Sequence, residues 1–186
     1  MKYFLGFLIA IGMIVLVFFL VLRGFNSGSA PKNQSHLTDY TNSNTVMQLT
    51  MDGPITADQN HQAVRITVGQ SETTIDIMQG YQGSVTQTKT YPNNQPSYAE
   101  FLSALQVAGF QKGSTDPNKS DERGYCPTGN RYIYEAVNGT SDAERFWSTS
   151  CGSQGTFKGN ASVVRQLFIK QVPDYDQLTA TLNLSY

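Results

Sequence analysis

Twenty residues without a charge, Tyr3 to Leu22, stand near the start of the chain between Lys2 and Arg23. A helix of that length spans about 30 Å, the thickness of a bilayer's hydrocarbon layer. A cleaved signal peptide carries an apolar region of about 7–15 residues with small residues directly after it. Here Arg23 follows at once, and Ser27, Gly28, Ser29 and Ala30 come later. The pattern predicts a transmembrane anchor over residues 1–23. Residues 24–45 are polar and show no apolar period, which predicts a flexible tether.

From Val46 the pattern changes, and residues 46–186 read as one domain. Val46 to Met51, Ala63 to Val68 and Thr73 to Met78 alternate apolar and polar positions, the period of half-buried strands. Ser84 to Tyr91, rich in Thr and Val, predicts a more exposed strand. Ser97 and Glu100 have the spacing of a capping box, and Tyr98, Phe101, Leu102 and Leu105 share one helical face ahead of Gly109. Arg131 to Val137 and Ala143 to Ser150 flank Asn138-Gly139, a strong hairpin signal. A second helix is predicted after Asn160, with Val163, Val164, Leu167 and Phe168 as its stripe and Pro173 as its stop. Thr179 to Leu184 is expected to add a last strand. This order predicts an α+β fold, an antiparallel sheet of about five to six strands with two helices on one face.

The two cysteines can be placed on the hairpin. A two-residue turn at Asn138-Gly139 pairs Val137 with Thr140, and that register sets Cys126 opposite Cys151 at a closely spaced position. A disulfide is therefore expected, closing a loop of about 25 residues, and it implies an oxidising compartment.

Net charge is −1 and no Lys/Arg cluster is present, so nothing favours nucleic acid as a partner. Charged residues make up 15% of the chain, against roughly 25% in soluble proteins, and neutral polar residues take their place. With the cysteines, that surface places the C-terminal domain outside the cytoplasm, on a single-pass anchor in the cell membrane. Gly6-Phe7-Leu8-Ile9 resembles the processing site of type IV prepilins, but Ile11 stands where that family carries Glu.

Catalytic and cofactor signatures are missing. His36 falls in the tether and His61 just before a strand, neither with a partner at metal-ligand spacing, so no metal or cofactor is expected. Gly152-Ser153-Gln154-Gly155 is one residue short of a nucleophile elbow, and Ser29-x-x-Lys32 lies in the tether. Asp116 to Pro127 matches a calcium loop at its first positions but lacks the central Gly and the terminal Glu. Asp76, Glu100, Asp142 and Glu144 are available to a hydrolase, with no spacing that selects them. In the register above, Tyr132, Tyr134, Arg145 and Trp147 share one hairpin face. They form a binding patch if that face is outward, and part of the core beside the disulfide if it is inward.

Gly80-Tyr81-x-Gly83, Phe101-Leu102-x-Ala104-Leu105-x-x-Ala108-Gly109-Phe110, and Cys126-Pro-x-Gly129 through Trp147-x-x-x-Cys151 resemble uncharacterised membrane-anchored proteins of small-genome bacteria. The resemblance lends no activity. The expectation is a non-enzymatic binding or interaction domain, joined to the membrane through residues 3–22, whose partner is an envelope protein, a peptide or a glycan. The alternatives are an envelope hydrolase assembled only in the fold and a pilin-like assembly subunit.

Overall fold

The computed structural model describes residues 36–139, 141–152 and 155–184, with backbone only for 141–143. The expected anchor, and the tether up to residue 35, lie outside the described residues. Among the described residues no helix is long and apolar enough to cross a membrane.

Six antiparallel strands form one sheet: β1 (Thr45–Asp52), β2 (Gln62–Val68), β3 (Glu72–Gln79), β4 (Ser84–Pro92), β5 (Arg131–Asn138) and β6 (Ser141–Thr149). Their spatial order is β4-β3-β2-β1-β5-β6. A meander runs outward from β1. The chain then returns over the sheet through helix α1 (Gln95–Ala108) and adds the β5–β6 hairpin to the other side of β1. Helix α2 (Ala161–Ile169) and the short α3 (Tyr175–Thr179) follow.

One sheet face is apolar because the strands alternate in phase. Leu49 opposes Ile66 on β2 and Tyr134 on β5, and Ile66 opposes Ile75 on β3. Against this face pack Tyr98, Phe101, Leu102 and Leu105 of α1 and Val164 and Phe168 of α2, with Phe101 and Phe168 edge to face at 5.1 Å. The α+β class, the antiparallel sheet and the core positions of α1 agree with the sequence pattern; on α2 Val164 and Phe168 are buried, Leu167 is partly buried, and Val163, expected in the stripe, is exposed.

Four local expectations give way. Helix α1 starts earlier than the Ser97–Glu100 box: Asn94 is the cap, its side chain accepting from the Ser97 amide at 3.0 Å. Pro96 fits the first turn, where no amide proton is needed. Gly109, at φ 81°, ends that helix in the left-handed conformation, as expected. Thr179 to Leu184 forms no strand; α3 and a turn occupy the region, and Leu184 is buried against the core. Leu37–Asn42, expected to be part of the tether, forms a 3-10 helix whose Leu37 is completely buried. Finally, the hairpin pairs Asn138 with Ser141, not Val137 with Thr140, and an irregularity at Ala136/Val137 shifts the register again. Tyr134 then opposes Phe146, and Ile133 opposes Trp147.

Candidate functional site

That register divides the four candidate binding residues between two faces, which corrects the expectation of a shared patch. Tyr132 and Tyr134 lie on the helix-covered face and are buried. Tyr134 stacks on Phe157 at 4.3 Å, and burial pushes its hydroxyl up to about 12. The Arg165 guanidinium lies 4.2 Å from the centre of the Tyr132 ring.

Arg145 and Trp147 sit on the opposite face, which no α-helix covers among the described residues. There they hold down the loop between α1 and β5. Trp147 is buried, donates from Nε1 to the Lys119 carbonyl at 2.6 Å and packs on Tyr125. Arg145 donates to the Ser120 carbonyl at 3.0 Å and pairs with Glu122 at 2.7 Å and Glu135 at 3.0 Å.

The disulfide also fixes this loop. Cys126 and Cys151 are bonded, with Cα atoms 5.6 Å apart. The bond lies beyond the ladder, whose end pair is Arg131–Thr149, so the expected pairing is met by a turn and not by strand register. Cys126 has φ 49° and accepts at its carbonyl from Gly129 N–H at 3.1 Å. A Cβ on Gly129 would stand 2.4 Å from Ser150 Oγ and 2.7 Å from Cys126 Sγ, so the turn closes only around glycine.

Between this loop and the β3–β4 turn lies a cleft of about 550 Å³. Its floor is the open sheet face, including Thr50, Ala63, Arg65 and Ile133; one wall carries Tyr81, the other Glu122 and Arg123. Tyr81 is fixed from three sides. Its ring stacks on His61 at 4.1 Å, its hydroxyl donates to the Thr56 carbonyl at 2.8 Å, and its amide donates to Asp58 at 2.8 Å.

A buried ionic network underlies one end. Asp52 takes the Arg131 guanidinium at 2.6 Å on one carboxylate oxygen and His61 Nε2 at 2.7 Å on the other. Arg131 also donates to the Gly53 carbonyl at 2.5 Å, and His61 Nδ1 lies 3.2 Å from the Pro54 carbonyl. At the other end Arg123 holds Asp121 in a two-point contact, which lowers the Asp121 carboxyl to about 2.

The four carboxylates considered for hydrolysis do not converge. Asp76 is on the open face and accepts from Thr88 at 2.6 Å, whereas Glu100 is on α1, on the opposite side of the sheet. Glu144 is on the helix-covered face, where Gln111 donates to it at 2.7 Å and burial raises its carboxyl above the ordinary range. The Asp142 side chain lies outside the described residues. In the calcium-like segment Asp116 caps a short 3-10 helix and Asp121 is taken by Arg123. Among the described residues no three His, Cys, Asp or Glu side chains gather as metal ligands.

Sequence reasoning missed Asp52, Arg65 and Tyr81 as cleft residues, and Arg131 as the buried partner of Asp52. Parity was a signal for two of them: Asp52 is out of phase with Leu49 and Met51, and Arg65 with Val64 and Ile66. The chain matches no known family model and no curated protein.

Proposed function

We propose that the chain is a single-pass membrane protein and that its domain is a non-enzymatic binding module outside the cytoplasm, taking its ligand in the cleft on the open sheet face. One observation carries the binding reading. The sheet face opposite the α-helices of the described residues is walled on two sides, and its walls are braced by a disulfide, a buried Trp and an ion pair whose Arg131 is buried. Such bracing holds polar and aromatic groups in place before a ligand arrives, which lowers the entropic cost of binding. The apolar run Tyr3–Leu22 supports the anchor, and the disulfide supports an oxidising compartment. The likeness to membrane-anchored proteins of small-genome bacteria fits this placement. An envelope protein, a peptide or a glycan is the partner class, and the balanced charge argues against nucleic acid.

The test is site-specific photo-cross-linking in intact cells, with the reactive side chain at Gln82 in the cleft or at Val107 on the outer face of α1. Adducts from Gln82 and none from Val107 are expected. Adducts from Val107 alone would move the binding surface to the helices and end this reading.

A further inference from the structure

Among the described residues, one cation of the cleft has no ion-pair partner. Asp52 is taken by Arg131 and His61, Arg145 lies between Glu122 and Glu135, and Arg123 is held by Asp121. Arg65 is different. Among the described residues it makes no ion pair, and its one side-chain bond runs from Nε to the Thr50 hydroxyl at 3.3 Å. Asp76 is its cross-strand partner on β3, but that carboxylate stands outside the cleft and accepts from Thr88. Arg65 is half-buried and lines the cleft together with the apolar Ala63 and Ile133.

We infer that Arg65 is the anchor for a carboxylate-bearing ligand; this rests on the cleft being the binding site. The guanidinium's planar fork matches a carboxylate at two points, and a partly desolvated site strengthens the pair. The charge around it selects a monoanion. Arg145 is one cation shared by two carboxylates, Glu122 and Glu135, and the negative charge left over there repels a doubly charged phosphate more than a single carboxylate. The Thr50 hydroxyl stands beside Arg65 as a second hydrogen-bonding group, and the Tyr81 ring in the wall offers a flat surface to the ligand's body. A peptide carboxylate and a uronic acid share this chemistry.

The test titrates the full chain in detergent micelles, following the Arg65 Nε–Hε NMR resonance and measuring affinity by calorimetry. The probes are acetylated dialanine and its carboxamide, methyl glucuronide and methyl glucoside, and inorganic phosphate. One or both acids should bind and shift the resonance, their neutral counterparts should not, and the acid that binds identifies the source. Arg65→Gln should weaken that binding about tenfold or more, with Arg65→Lys recovering part of it. Melting of the variants, unchanged from the parent, shows that the fold is intact. Equal binding of acid and neutral forms, tighter binding of phosphate than of either acid, no shift at saturating acid, or full affinity in Arg65→Gln overturns the inference. If cross-linking from Gln82 persists in that case, the cleft remains the binding site and only its ligand chemistry is wrong. If cross-linking from Gln82 is itself absent, the cleft reading falls too.

Discussion

Leu49 and Thr50 are neighbours on β1 and meet different worlds. Leu49 is completely buried under the helices, between Ile66 and Tyr134. Thr50 forms the floor of the cleft beside Arg65. The same alternation holds for Met51 and Asp52, and for Tyr132 and Arg131. On the helix face the fold is held by packed apolar side chains, which need shape and volume but little direction. On the open face each group is held by directional bonds: Arg145 by two carboxylates and a carbonyl, Trp147 by a carbonyl, Cys126 by a covalent bond. One face supplies stability without specificity. The other fixes the positions of polar groups, as a recognition surface requires.

If the two faces divide the work in this way, variants should separate stability from binding. Phe168→Ala empties a site completely buried under the sheet, and about 4 kcal/mol of stability should be lost in denaturant melts with ligand affinity unchanged. Replacing both Cys126 and Cys151 by Ser should cost about 3.5 kcal/mol. Unlike the first variant it should also weaken ligand binding, because the loop wall then loosens. Arg131→Met leaves Asp52 and His61 facing each other without the guanidinium, a loss of about 3 kcal/mol by thermal melting.

Glu144 tests the helix face by titration. Burial raises its carboxyl, partly offset by the Gln111 bond, so the fold favours the protonated form. Its favourable contribution is complete below the ordinary carboxylic range and is lost as pH rises through the raised value. Glu144 Oε2 is buried without a hydrogen-bond partner, so Glu144→Gln should stabilise by about 1 kcal/mol at neutral pH and flatten that loss in pH-dependent melts. Arg65→Gln is the smallest effect on stability, within about 0.5 kcal/mol, since among the described residues its one side-chain bond is to Thr50.

The helix face was legible in the sequence. Period-two runs from Val46, Ala63 and Thr73 and the stripe Tyr98, Phe101, Leu102, Leu105 mark residues that burial then selects. The open face was not legible, for two physical reasons. Its groups come from distant segments: Asp52 meets Arg131 across the β1–β5 pair, and Tyr81 meets His61 beside the end of the β2–β3 pair. Its assignment also depended on the hairpin register, where one irregularity at Ala136/Val137 alters which partners meet. The cysteine pairing survived that error because a disulfide needs two side chains at the right distance and direction, not a strand ladder, and the turn from Cys126 to Gly129 brings the Cα atoms to 5.6 Å. Leu37 shows the reverse case. An apolar residue in a polar stretch carries no period, yet Leu37 is buried, and Tyr40 packing with bonds from Gln70 to Thr41 and from Gln95 to Asn42 holds the 3-10 helix to the domain.

The central claim is a disulfide-braced domain held outside the cytoplasm by its N-terminal anchor. Labelling intact cells with a membrane-impermeant maleimide, with and without prior reduction, tests it most directly. Cys151 is exposed, so the reagent can reach it once the bond is opened. The account predicts label on the chain only after reduction, without lysis. Label that appears only after lysis, with no reductant needed, would place free thiols in the cytoplasm and contradict it.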